Sequence, residues 1–252
     1  MKIVLVGGSG RIGRPLDALL CAAGHETVVA SPSRGVNAQT GQGLAAAFEG
    51  AHVVVDVSDS PSFEERAVMD FFAGSTANLL EAGRRAGIRH YVALSIVGTE
   101  RAQQSAYYRA KLAQESLIER SGLPYTIVRA TQFFDFLKPI ADSFTVDGQV
   151  RVPDGALQPI AIEDVVLALA AAADDDPLNA KIEVAGPQTF PIDQLMRQVL
   201  AAMGDQRDVI VDPSARYFGT PLDAGTLVAG VDARVGDVSL ADWLRTTASL
   251  KR

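Results

Sequence analysis

The 252 residues carry 23 Lys and Arg against 30 Asp and Glu, a formal net charge of -7, and no basic run longer than Arg84-Arg85, so the electrostatic footprint of a nucleic-acid binder is missing. Hydrophobic residues at 48% and charged residues at 21% describe a globular chain with ample core and exclude a disordered or fibrous one. The longest apolar stretch, Val165–Ala173, is nine residues where about 20 are needed to span a bilayer, and the single Cys21 leaves no intrachain disulfide. No secretory leader is expected, because the apolar start Ile3–Val6 gives way at once to glycines, and a reducing, cytoplasmic setting follows.

Taken in chain order, the predicted elements repeat one unit: a short β-branched run, a turn, then a helical period rich in Ala and Leu. Strands are expected at Lys2–Val6, Glu26–Ala30, His52–Val57, His90–Leu94 and Tyr125–Val128. Helices are expected at Pro15–Ala23, Leu44–Phe48, about Glu64 to Ala86, and Ala106–Arg120, several of them stopping at a glycine. Strands such as His52-Val53-Val54-Val55 are continuously apolar, as suits strands covered on both faces in a parallel sheet. Strand alternating with helix predicts an α/β fold, a doubly wound parallel sheet of the Rossmann type.

Beyond Phe136 the alternation loosens, and Asp147-Gly148 and Pro153–Pro159 read as turns. A helix at Ile162–Ala173 and a strand at Lys181–Ala185 are expected to return to the sheet. Helix Ile192–Met203, strand Val209–Val211 and a last helix near Leu240–Leu244 are assigned to a small C-terminal lobe. The expected division is a dinucleotide-binding core at 1–134 and 156–186 and a smaller substrate-side lobe at 135–155 and 187–252, within one globular unit.

The chemistry starts at Gly7-Gly8-Ser9-Gly10-Arg11-Ile12-Gly13, a G-x-x-G-x-x-G spacing between the first strand and the first helix. A dinucleotide pyrophosphate needs a tight turn, bare backbone to approach, and a helix N-terminus whose unpaired N–H groups attract an anion. Ser9, Arg11 and Ile12 lie within the same loop and are expected at the cofactor. The second strand ends Ser31-Pro32-Ser33-Arg34, with no acid to bind the adenosine ribose hydroxyls. Ser31, Ser33 and Arg34 instead suit a 2′-phosphate, so NADP(H) is favoured over NAD(H). Val57 and Ser58, at the end of the third strand, are expected beside the adenosine ribose through their backbone; side-chain roles for Asp56, Ser58 and Asp59 stay open.

A second constellation is Tyr107 and Lys111, four apart on the fourth long helix, with Ser95 just past the fourth strand. Reduction of a carbonyl by hydride needs a proton for the oxygen that becomes negative, and a tyrosine whose acidity is raised by a neighbouring ammonium supplies one. Ser95 would hold the substrate oxygen. Phe133, Phe134 and Phe136 follow the fifth strand and are candidates to line an apolar pocket for a planar substrate. His25, His52 and His90 have no ligand spacing, and no metal is expected.

These motifs, with Ala93-Leu94-Ser95-Ile96-Val97-Gly98, Thr126-Ile127-Val128-Arg129 and Thr131-Gln132-Phe133-Phe134, resemble the short-chain dehydrogenase/reductases, especially their atypical NmrA-like NAD(P)-binding branch. The resemblance covers most of the chain. It implies Ser95, Tyr107 and Lys111 as a catalytic triad, Lys111 also at the nicotinamide ribose, and hydride transfer to a ketone or quinone-like molecule, as in secondary metabolism. The alternative within the same resemblance is a dinucleotide sensor without turnover. The length is short for a sugar-nucleotide epimerase, so that activity is not the one expected. Oligomeric state is silent in the sequence.

Overall fold

The computed structural model describes residues 1–249. The chain runs β1 (Lys2–Val6), α1 (Gly13–Ala22), β2 (Glu26–Ala30), α2 (Leu44–Phe48), β3 (Val53–Asp56), α3 (Glu65–Ala86), β4 (His90–Ile96), α4 (Ala106–Arg120) and β5 (Tyr125–Ala130). It continues through α5 (Leu137–Ser143), β6 (Thr145–Val146), β7 (Gln149–Val152), β8 (Ala156–Leu157), α6 (Ile162–Asp174) and β9 (Ala180–Ala185). The last elements are β10 (Phe190–Pro191), α7 (Ile192–Ala202), β11 (Val209–Val211), β12 (Arg234–Val235) and α8 (Leu240–Ser249). The doubly wound α/β expectation holds: a seven-stranded parallel sheet is ordered β12-β9-β5-β4-β3-β1-β2.

The order explains where a ligand belongs. β2 lies on one side of β1 and β3 on the other, so the winding reverses at β1, the kind of position where open α/β sheets bind ligands. Register then levels the strand ends. Val6 pairs with Ala30 on one side and with Asp56 on the other, and Asp56 pairs with Ala93, so the chain leaves β1, β2, β3 and β4 along one carboxyl edge. Because both faces are covered, Ile3, Val4, Leu5, Val54 and Val55 are fully buried. Each such side chain contributes roughly 1.5–3 kcal/mol by leaving water.

Two compact units divide the chain. The first comprises 1–95, 109–129 and 166–182; the second comprises 96–108, 130–165 and 183–252. This division falls differently from the expected breaks at 134, 156 and 186. The core of the first unit gathers Val4, Phe48, Val54, Leu79, Tyr91 and Ile127 between sheet and helices. In the second, α7 presents Ile192, Leu195, Met196, Val199 and Leu200 at helical spacing to a core that includes Phe134, Leu137 and Phe144.

Several short elements were not foreseen. Asp147 and Gly148, both at positive φ (50° and 77°), make the tight connection of a hairpin between β6 and β7, which fits the turn read there but not the strands around it. The stretch read as turns at Pro153–Pro159 contains β8, paired with β10, and β12 pairs in parallel with the end of β9. Two-residue strands carry too little periodicity to be seen in sequence.

Three tyrosines are buried deeply enough to matter at high pH. Burial pushes the hydroxyls of Tyr91, Tyr108 and Tyr217 above the ordinary value of 10.0, Tyr91 further through the Asp56 carboxylate and Tyr217 further through Tyr108. Above that value the unfolded chain releases protons that the folded chain keeps, so stability falls as pH rises. Each such tyrosine contributes a loss approaching about 1.4 kcal/mol per pH unit. A spectrophotometric titration above about pH 10.5 should show these three tyrosinates appearing only together with loss of far-UV ellipticity; gradual ionisation in folded protein would contradict the burial.

Candidate functional site

The loop after β1 is built from glycines that do different things. Gly7 turns with φ +79°, its N–H donates to Ala30 O at 3.0 Å, and a Cβ there would stand 2.8 Å from Ser58 N, so the loop lies directly against the chain leaving β3. At Gly13 a Cβ would come within 2.4 Å of Gly7 O and Gly8 Cα, because the first residue of α1 rests on the loop backbone. Gly10 is exposed, and a Cβ there would meet only Gly7 O at 3.1 Å. Bare backbone therefore faces outward at one glycine while the other two permit internal contact. Ser9 O accepts from Arg14 Nε at 2.8 Å, which pins the loop to α1.

That helix begins without a side-chain cap and without an acid in its first turn. The N–H groups of Ile12 and Gly13 find no acceptor among the described residues. Unpaired N–H groups at the positive end of a ten-residue helix form a site for an anion, and the exposed Gly10 leaves it open. The arrangement fits a dinucleotide pyrophosphate.

At the end of β2, Ser31 is buried and its Oγ lies 3.0 Å from Ser33 Oγ, while Ser33 and Arg34 are exposed on the 3-10 turn Pro32–Arg34. Arg34 makes no ion pair among the described residues. At the end of β3, Val57 N donates to Val6 O at 2.9 Å, and Val57 and Ser58 are partly buried beside Gly7. The loop residues Gly7, Ser9, Gly10, Ile12 and Gly13 and the strand-end residues Ser31, Val57 and Ser58 thus all sit on the carboxyl edge of one unit.

Helix α4 turns a polar face to the sheet. Lys111, Gln114 and Glu115 are buried, 3%, 1% and 1% exposed. Lys111 Nζ donates to Leu94 O at 2.9 Å and to Gln114 Oε1, and sits 4.4 Å from the centre of the Phe72 ring. Gln114 Nε2 donates to Asp56 Oδ2 at 3.1 Å, and Tyr91 Oη donates to the same oxygen at 3.0 Å. Ser58 supplies Asp56 Oδ1 with its N–H at 3.0 Å and its hydroxyl at 2.6 Å. Burial holds the Lys111 ammonium below the usual lysine value, opposed by Asp56, Asp59 and Glu115. One turn farther along α4, Glu115 accepts from Arg129 Nε at 2.9 Å and Nη2 at 2.5 Å, with Lys181 Nζ at 3.5 Å.

Ser95 belongs to this second cluster. Its hydroxyl donates to Glu115 Oε1 at 2.5 Å, so the proton expected to greet a substrate oxygen is committed inside the protein. Tyr107 is half-buried one turn before Lys111 on α4. Among the aromatic candidates, Phe134 departs from expectation: it is 1% exposed and packs on Trp243 at 5.5 Å in the core of the second unit, because the 3-10 turn Phe134–Phe136 points it inward. Phe133 and Phe136 pair at 5.7 Å, with Phe136 exposed.

Sequence reasoning missed Gln114, Glu115, Arg129 and Lys181 and left Asp56 open. The available signal was polar residues at i, i+3 and i+4 from Lys111 on the helix face that had to meet the sheet. Among the described residues no group of His, Cys, Asp and Glu could hold a metal, and no helix is long and apolar enough to cross a membrane.

Comparison with known proteins agrees with this geometry. The profile of a family described as NAD(P)H-binding matches residues 7–176. The photosystem II assembly factor Ycf39 of Cyanophora paradoxa is 24% identical over 165 residues, 58% of this chain and 51% of that protein, so the chain spans about half the length of this curated relative. The uncharacterized sugar epimerase YhfK of Bacillus subtilis is 26% identical over 158 residues, 51% of this chain and 71% of that protein. In fold, the chain is similar to the UDP-glucose 4-epimerase of Thermotoga maritima (TM-score 0.77, 16% identity, covering 100% of this chain and 99% of that one). It is also similar to RMD of Pseudomonas aeruginosa complexed with NADPH (TM-score 0.70, 16% identity, 98% and 97% covered). Length therefore does not separate this chain from epimerases at the level of fold.

The Glu115 cluster generates a stability test. Glu115→Leu leaves the Arg129 guanidinium buried without its carboxylate, and a loss of about 3–5 kcal/mol is expected in urea unfolding. Lys181→Met removes a charge from a side chain that is 25% exposed, and a loss under about 1 kcal/mol is expected. Equal losses would show that Arg129 is not the partner that matters.

Proposed function

The chain belongs to the NAD(P)H-binding family, and from that premise we propose that it is an NADPH-dependent reductase of the short-chain type acting on a ketone or quinone-like small molecule. The observation that carries the reading is Lys111, an ammonium buried on the same helix as Tyr107 and one turn from it. Bound NADPH would supply the hydride. Ile12 and Gly13 would hold the pyrophosphate with their N–H groups, and Gly10 would let it approach. Ser31, Ser33 and Arg34 would bind the adenosine 2′-phosphate, Arg34 by charge. Arg11, exposed in the glycine loop, is a further candidate for that phosphate.

Tyr107 would give its hydroxyl proton to the substrate oxygen, and Lys111 would favour the resulting phenolate by its charge. Lys111 has used two of its three N–H groups on Leu94 and Gln114, and the third would serve the nicotinamide ribose. Ser95, whose proton goes to Glu115, would support α4 rather than donate to substrate. Phe133 and the exposed Phe136 remain the aromatic candidates for a planar substrate. The lone Cys21 supports a reducing, cytoplasmic setting.

The commitment of Ser95 also favours a second reading, a dinucleotide-responsive binding protein without turnover, to which the name of the Ycf39 relative, an assembly factor, lends support.

Fluorescence titration with NADPH and NADH, followed by ketones and quinones, separates the readings. NADPH should bind at least about tenfold tighter than NADH, and Arg34→Ala should erase most of that difference, about 1.4 kcal/mol. Tyr107→Phe should leave NADPH affinity unchanged and lower turnover about 10²–10⁴-fold. Binding without oxidation by any acceptor would establish the second reading; no binding of either nucleotide would overturn both.

A further inference from the structure

The proposed function uses Lys111 but leaves Asp56 and Gln114 without a task. Both are about 1% exposed, and Asp56 lies on a different element from the lysine, at the end of β3. We propose that Asp56 and Gln114 form a relay that positions the Lys111 ammonium, with the Gln114 amide bridging carboxylate and ammonium. This rests on the reading of Lys111 as a cofactor-facing cation.

The direction of the bridge is forced by chemistry. A carboxylate only accepts and an ammonium only donates, so the Gln114 amide has one orientation that satisfies both: NH₂ toward Asp56 Oδ2 at 3.1 Å and oxygen toward Lys111 Nζ. The carboxylate cannot rotate away, because Ser58 holds Oδ1 twice and Tyr91 holds Oδ2. Leu94 O fixes a second ammonium N–H, and the Phe72 ring lies against the group. With these directions occupied, one N–H is left to give, and its direction is set by the other two.

The relay also bears on the charge of a buried lysine. Burial alone favours the neutral amine, whereas Asp56, Asp59 and Glu115 favour the ammonium. Gln114 couples the first of these to the lysine without a direct ion pair, which would pull the ammonium toward β3 and off Leu94. A direct Lys111–Asp56 pair satisfies charge equally well; the intervening amide sets position.

The test compares Gln114→Met, which keeps the chain length and removes both hydrogen bonds, with Tyr91→Phe, which removes one hydrogen bond to the same carboxylate oxygen and leaves the bridge. Gln114→Asn, too short to span both groups, serves if the Met variant does not fold. Three readouts are taken on the full chain: thermal midpoint, NADPH affinity by fluorescence, and titration of the Lys111 Cε resonance in protein labelled with ¹³C-lysine. Tyr91→Phe and Gln114→Met should both lower the thermal midpoint. Only the Gln114 variants should weaken NADPH binding about tenfold and move the Lys111 titration down by about one unit.

NADPH affinity within about twofold of wild type and an unmoved lysine titration in the Gln114 variants would overturn the relay and leave Gln114 a packing residue. The same shifts in Tyr91→Phe would also overturn it, by showing general loosening. If the wild-type protein binds NADPH and oxidises it with no acceptor, the reductase reading fails, while the affinity and resonance arms still decide the relay.

Discussion

The carboxylate of Glu115 governs how α4 sits on the sheet. A buried charge is tolerated only where its lone pairs are met, and this one is met by Arg129 from β5, Ser95 from β4 and Lys181 from β9. Partners from three strands converge on one residue of the helix, so α4 can neither slide nor roll without stranding a charge. An apolar interface would tolerate a small slip in register; a bidentate guanidinium–carboxylate pair does not. Lys111, one turn earlier, inherits that register, which brings its ammonium to Leu94 O and keeps Gln114 across from Asp56.

The carboxyl edge of the sheet is organised by the opposite means, an absence of side chains. Gly7 and Gly13 let β1, the chain after β3, and α1 approach more closely than any Cβ allows, and Gly10 leaves the helix N-terminus uncovered. The two halves of the site are therefore complementary. The glycine loop offers N–H dipoles beside β1 and β2, and α4 offers an ammonium held against β3 and β4.

What was legible in the sequence follows from range. The glycine spacing, the continuous apolar strands and the helix ends are set by neighbours within a turn or two, and β1, β2 and α4 fall where pattern and propensity place them. Tyr107 and Lys111 were visible for the same reason, four apart on one helix. The bond from Ser95 to Glu115 spans 20 residues and that from Gln114 to Asp56 spans 58, and no local pattern announces either. Phe134 and Phe136 look alike in sequence, and only the turn they occupy sends one into the core and leaves the other exposed.

Ser95 is the residue at which chemistry and stability compete most directly. A serine hydroxyl has one proton, and Glu115, already holding a guanidinium, takes it. Freeing that proton for a substrate oxygen leaves an acceptor position on Glu115 to be filled by something else, at a depth where water has little access. A hydroxyl that the anchoring of α4 consumes is a poor source of such a proton. The same anchoring serves a protein that binds a dinucleotide and a protein that also turns it over.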